Sequence, residues 1–315
     1  MLFFILVLHA CLTCSFILYR YRNFSIPDDL ISFSWKYKIP NYRAWDKKTI
    51  IFPSNDFELA NLDYHGITFS EYIYKHSDYI SNEIRQKRSW CDCEHIFKIF
   101  NKYVKNKYQN MYALDIGANI GACSFLLMAM NIKTIAFEPL PKNLHLFTRS
   151  LLHNPQFLPL ITLYPMALGN KKSTLKISCN DGNMGGSSAL DIFKVGSNIA
   201  EVPSDKLNTV LKDFNEPIIL AKIDVEGYEP YVIEGADNFL KNHQIKMIFY
   251  EKSCKASSVE NNFFNKIDDL FEKYNYTSSK SKCRHSDDLF NILAIANSFI
   301  EENNINVNVL KRDFF

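Results

Sequence analysis

From about residue 99 the chain settles into a rhythm that few folds accommodate: apolar runs of four to eight residues alternate with helix-length patterns of ten to fifteen. The runs are MYALDIG (111–117), TIAFEP (134–139), ITLYPMALG (161–169), IILAKIDVEG (218–227), KMIFYEKS (246–253) and NILAIANSF (291–299). Between them stand ACSFLLMAM, KNLHLFTRSLLHN, SDKLNTVLKDF, YVIEGADNFLKN and SVENNFFNKIDDLFEKY. Strands that alternate with helices in this way predict βα units and a doubly wound, Rossmann-like α/β domain over 99–300. One insertion, 170–203, breaks the rhythm with STLKISC and the glycine-rich DGNMGGSS, and predicts a strand pair and a loop over one edge of the cleft. Within it GGSS (185–188) reads equally as a surface turn or as a lid over substrate.

Composition narrows the function. With 36 Lys and Arg against 34 Asp and Glu, the net charge of +2 gives no electrostatic case for a nucleic-acid partner. At 47% hydrophobic and 22% charged residues the chain is an ordinary globular one.

The N-terminus stands apart. Residues 2–19 carry no ionised side chain and are followed by Arg20 and Arg22, which predicts a hydrophobic signal anchor over 1–20 that reaches a membrane. A cleaved signal peptide, leaving a secreted protein, is the competing expectation. A stem with one or two helices is expected over 21–98, and a tail over 301–315. The sequons at Asn23 and Asn275 fit passage through the secretory pathway.

Six cysteines lie outside the anchor. They permit disulfides, free thiols, or a zinc site made of Cys91, Cys93, Cys283 and His285, although the one-residue spacing departs from usual zinc ligands. His145 and His153, on an expected helix, read as solvated or packing residues.

The chemistry concentrates at strand ends. In ALDIGANIG, Asp115 ends the first strand, and Gly117 and Gly121 sit in the turn that opens the next helix, where backbone can approach a ligand. A dinucleotide fingerprint would place its second glycine at Asn119, and the Asp115 carboxylate would repel a pyrophosphate. S-adenosylmethionine has no phosphate and carries a sulfonium and an ammonium against one carboxylate, so an acidic group favours it. Glu138, 23 residues after Asp115, stands where it can accept the hydroxyls of a ribose.

These residues, with ALGN (167–170), GGSSAL (185–190) and KIDVEGYE (222–229), resemble the FkbM-type branch of S-adenosylmethionine-dependent methyltransferases over about residues 99–298. The resemblance implies a class I methyltransferase fold, a seven-stranded, mostly parallel sheet with an antiparallel last strand. It also implies methyl transfer to a hydroxyl of a glycan, polyketide or other small metabolite. By it, Asp115, Gly117, Asn119 and Gly121 hold the methionine end of the cofactor, Glu138 the ribose, and Ala167 and Leu168 lie near the adenine.

KIDVEG is the carboxyl end of an expected central strand, so Lys222, Asp224 and Glu226 would share one face toward the cleft. Asp224 is the candidate that orients or deprotonates the acceptor, with Glu226 supporting it or the cofactor ammonium and Lys222 balancing the pair. The competing expectation is a structural ion-pair network. Glu251 is a further cleft candidate. Two other functions compete: a non-catalytic scaffold that keeps the fold, and a dinucleotide-dependent oxidoreductase, which Asp115 and Asn119 disfavour.

Overall fold

The structure, a computed structural model, describes residues 56–76, 78–104, 111–179, 186–190, 199–255, 264–279, 285 and 289–306. The expected anchor and the stem up to residue 55 lie outside these residues. Among the described residues no helix is long and apolar enough to cross a membrane.

At the centre is a seven-stranded sheet of β3 (Tyr112–Ile116), β4 (Lys133–Phe137), β5 (Ile161–Tyr164), β9 (Ile218–Ile223), β10 (Ile245–Ser253), β11 (Tyr276–Ser278) and β12 (Leu289–Ala296), in the order β11-β12-β10-β9-β3-β4-β5. β3, β4, β5, β9 and β10 pair in parallel, and β12 wedges antiparallel between β10 and β11. This is the expected fold. Every residue of β9, IILAKI, is buried, as a central strand covered on both faces requires.

Local chemistry explains where elements depart from expectation. The run 161–169 divides because Pro165 cannot donate to a ladder, so β5 stays in the main sheet and β6 (Ala167–Leu168) leaves it. β6 joins β8 (Ile199–Asp205) and β7 (Ser173–Ser178) in a small sheet ordered β6-β8-β7, the expected insertion with its antiparallel pair. β11 has only three residues, too few to stand out from the helix before it.

The region before the domain holds more than helices. β1 (Phe57–Tyr64) and β2 (Ile67–Tyr74) form a hairpin whose two-residue turn, His65-Gly66, has positive φ at both positions (54° and 92°). Two helices follow, α1 (Tyr79–Lys87) and α2 (Cys91–Ile99). Phe69, Glu71 and Ile73 alternate onto the buried face of β2. Phe69 stacks on Phe125 with ring centroids 5.8 Å apart. Phe125 belongs to α3 (Ala122–Ala129), a helix buried from 122 to 128, which explains why ACSFLLMA carries no polar stripe. Against α4 (Pro141–His153) the hairpin bonds through its backbone: the Tyr72 N–H donates to Ser150 Oγ at 2.8 Å, and Asn154 Nδ2 just beyond α4 donates to the Ser70 carbonyl at 2.7 Å. His145 and His153 pack against Phe57 and Tyr72, and burial lowers the His145 pKa to about 4.

A disulfide joins Cys93 on α2 to Cys123 on α3, with Cα atoms 5.0 Å apart. The zinc arrangement is thereby overturned, because Cys93 is already bonded and Cys91 is an exposed free thiol. The disulfide closes a loop of sequence separation 30. Such a loop is worth about 3–4 kcal/mol in the chain-entropy account. Replacing both cysteines by serine is expected to lower the thermal midpoint by about 10 °C. Scanning calorimetry of the oxidised protein and the variant checks this, and equal midpoints would make the bond dispensable.

Candidate active site

Beyond the carboxyl ends of β3, β4 and β9 opens a cleft of about 650 Å³. Its walls come from the loop after β3 (Gly117, Asn119), the end of β4 (Glu138), β6 (Ala167, Leu168) and β7 (Leu175, Ile177). Asp224, Val225, Glu226 and Tyr228 close it from the β9 side.

Gly117 is where the two central loops meet. Its φ is +79°, and a Cβ there would lie 1.8 Å from the Asp224 carbonyl oxygen. The loops are stitched by the Asp224 N–H, which donates to the Ile116 carbonyl at 3.0 Å. Asn119 turns the loop with φ 53°, and its N–H donates to Glu138 Oε2 at 2.8 Å. Glu138 is buried and also accepts from the Leu140 N–H (2.8 Å) and from Asn143 Nδ2 (3.2 Å). Burial raises its pKa to about 7 against these three donors, which oppose the rise.

Asp115 and Gly121 sit behind the cleft rather than on it. Asp115 has no exposed surface, and its Oδ2 accepts from Ser124 Oγ at 2.6 Å. A Cβ on Gly121 would come within 2.9 Å of Phe125 and Phe147, so this glycine lets α3 approach α4. Both residues shape the loop that Gly117 and Asn119 present.

The charged motif departs from the expected geometry. β9 ends at Ile223, and the chain then turns: Glu226 has φ 55° and Gly227 φ 92°. Lys222, Asp224 and Glu226 therefore do not share one face of a strand. Glu229, a residue not singled out in the sequence, makes the turn, its Oε1 accepting from the Val225 N–H (2.9 Å) and the Gly227 N–H (3.2 Å). Its signal was the acid two residues after the glycine, spaced to reach back to the turn.

Lys222 is the buried cation of the site. Its Nζ donates to the Gly117 carbonyl at 3.0 Å and lies 3.2 Å from Asp224 Oδ2 and 3.6 Å from Asp115 Oδ1. Burial lowers its pKa, but Asp224, Asp115 and Asp92 more than offset that and hold it above the ordinary value. The ion-pair network is thus present, and one of its members, Asp224, keeps a quarter of its side chain (24%) exposed and lines the cleft.

Around this cation the acids are crowded. Asp92, contributed by α2 and not foreseen, accepts from Asn291 Nδ2 at 3.4 Å, and burial and then Asp224 push it to about 6. Glu251, two residues before the end of β10, is pushed to about 9 by burial and then by Asp224, and Glu229 to about 8, chiefly by burial. Glu226 is raised well above the carboxylate range by burial, then by Asp224 and Glu251. Ser188, the described part of GGSS that is buried, donates its hydroxyl to the Glu226 carbonyl at 2.7 Å, so this segment is tied to the site.

Residues 115–278 match the sequence model of the family described as methyltransferase FkbM domain. A solved FkbM methyltransferase from Methylobacillus flagellatus KT is similar at 13% identity and a TM-score of 0.42, covering 69% of this chain and 52% of that one. This chain therefore spans about half the length of that protein. Precorrin-6y C5,15-methyltransferase from Geobacter metallireducens GS-15 is similar at 14% identity and a TM-score of 0.34, covering 62% of this chain and 85% of that one. No functionally curated protein matches.

Proposed function

Since the chain belongs to the FkbM methyltransferase-domain family, we propose that it is an S-adenosylmethionine-dependent O-methyltransferase acting on a hydroxyl of a glycan or other small hydroxylated metabolite. The observation that carries this reading is one cleft lined by Gly117, Asn119, Glu138, Ala167, Leu168, Asp224 and Glu226. The residues fit the cofactor by their chemistry. Glu138 is a buried acceptor at the end of β4 suited to a pair of ribose hydroxyls, Ala167, Leu168 and Ile177 give an apolar wall for an adenine, and the Asp224 carboxylate on the cleft favours the cationic end of the ligand. S-adenosylmethionine, when bound, supplies an electrophilic methyl group on its sulfonium.

The chain's own part is positioning and proton acceptance. Asp224 faces the cleft with its Oδ2 on Lys222, so an acceptor hydroxyl placed there can lose its proton to the carboxylate. Lys222 fixes that carboxylate, and Glu226 and Glu251 flank it. We extend the proposal to location: an anchor over 1–20 holding the domain in the secretory pathway, a reading supported by the Cys93–Cys123 disulfide, which belongs to oxidising compartments.

Titration calorimetry with S-adenosylmethionine and with NAD tests the cofactor. Binding of the first alone is expected, and binding of NAD alone would defeat the proposal. Affinity should fall as pH drops through about 7, because Glu138 then takes up a proton and loses acceptor capacity. In the free protein the same raised pKa works the other way on stability: the contribution is full below the unfolded value near 4.5 and is lost as pH rises through 7. Glu138→Gln should flatten the pH dependence of binding near 7.

A further inference from the structure

The hairpin carries an acid that the site described so far does not use. Glu71, on the buried face of β2 between Phe69 and Ile73, has no exposed surface. Neither of its carboxyl oxygens has a hydrogen-bond partner among the described residues. Asp115 Oδ1 is another fully buried oxygen without a hydrogen-bond partner, and α3 brings the two acids toward one place: Phe69, two residues before Glu71 on the same face of β2, stacks on Phe125, and the adjacent Ser124 donates to Asp115. Glu71 lies before the matched family span, so nothing in that match assigns it a role.

We propose that Glu71 is a protonated carboxylic acid that donates toward Asp115 Oδ1 and thereby positions Lys222 on Asp224. An ionised carboxylate buried without a partner is too costly to persist, and the one buried cation nearby is already shared among Asp115, Asp224 and the Gly117 carbonyl. A neutral acid instead brings a donor to an oxygen that lacks one. Lys222 Nζ stands 3.6 Å from Asp115 Oδ1, beyond hydrogen-bond length, but 3.2 Å from Asp224 Oδ2, so the Asp115 oxygen is left open to a second donor. Glu71 is thus a positioning residue, acting on the cofactor loop through Asp115.

The other groups facing Glu71 are compatible. On β1, Tyr64 feels its charge, and the hydroxyl oxygen of Tyr64 accepts from the Trp90 N–H at 2.9 Å. α3 offers no ionisable side chain, since Cys123 is in the disulfide. On α4, Arg149 lies over the rings of Phe57 and Tyr72, and His145 and His153 contact the same two rings; Tyr72 points away from the buried face of β2. Burial, reinforced by the Asp115 charge, accordingly raises the Glu71 pKa well above the carboxylate range.

Two variants test this. Infrared spectra at neutral pH should show a protonated-carboxyl carbonyl stretch in the unaltered protein that is reduced in Glu71→Gln; identical bands would overturn the protonation. Glu71→Gln keeps a donor and should hold S-adenosylmethionine affinity within about threefold, whereas Glu71→Leu should weaken it at least about tenfold without lowering the thermal midpoint. Unchanged affinity in Glu71→Leu would overturn the positioning role. This part rests on the proposed cofactor. Failure of the unaltered protein to bind it would count against that reading, and the infrared comparison would still decide the state of Glu71, as it would if Glu71→Leu failed to fold.

Discussion

Replacing Asp224 by asparagine is expected to slow methyl transfer by about 10²–10⁴-fold, the usual contribution of a positioned general base. The substitution preserves shape and leaves the local backbone intact, because Asp224 is held by its N–H on the Ile116 carbonyl and by the turn that Glu229 secures. What is lost is the charge that pairs with Lys222 and the basic oxygen that faces the cleft. Cofactor affinity should fall but remain measurable, since Asn119, Glu138 and the Ala167–Leu168 wall make no bond to Asp224, and the Asp224 N–H still ties the loops to the Ile116 carbonyl. Labelled methyl transfer into glycan and lipid extracts, run beside calorimetry, separates the two effects. Full turnover in Asp224→Asn would remove this residue from the chemistry and leave the network as scaffolding.

Gly117→Ala is expected to be more damaging still, and to the fold as well as the site. The added methyl would meet the Asp224 carbonyl oxygen at 1.8 Å and its carbon at 2.9 Å, both backbone atoms. Nothing there can rotate aside. Relief requires the loops after β3 and β9 to part, which breaks the Asp224–Ile116 hydrogen bond and the Lys222 bond to the Gly117 carbonyl. With the strain of an alanine at φ +79° added, the cost belongs with the severe tail of single substitutions, about 4 kcal/mol or more, or roughly 10 °C in thermal midpoint. Cofactor binding should vanish in whatever fraction folds. A thermal midpoint within a degree or two of the unaltered protein would show that the loops tolerate separation.

The sheet was legible because a parallel core strand has to be apolar on both faces, and the long runs at 111–117, 134–139 and 218–227 announce it. The ends were less so. Pro165 marks the division of 161–169 once the strand is seen to change sheets, yet apolar content alone runs straight through it. For the cleft, the places of Gly117, Asn119 and Glu138 were readable from their order at consecutive strand ends, while Asp115 and Gly121 proved to lie behind it. The face shared by Lys222, Asp224 and Glu226 was not, because alternation assumes that the strand continues, and only the bonds made by Glu229 show that it stops. Asp92 and Glu71 come from segments whose aromatic-rich text conceals a hairpin, its turn written His65-Gly66 instead of the commoner Asn-Gly or Asp-Gly. That Asp92 lies in the field of Asp224, and Glu71 in that of Asp115, is a tertiary fact with no local signature.

The hairpin also bears on what can be cut away. The family match spans 115–278, but a fragment with those limits would lack β1 and β2, whose Phe69 covers Phe125, and β12, which separates β10 from β11. It would present the apolar α3 to water and leave an interior strand edge open, the two features that drive chains to associate. The smallest autonomous folding unit of this protein is therefore larger than its homologous segment, and must reach from the hairpin at Phe57 through the antiparallel strand ending at Ala296.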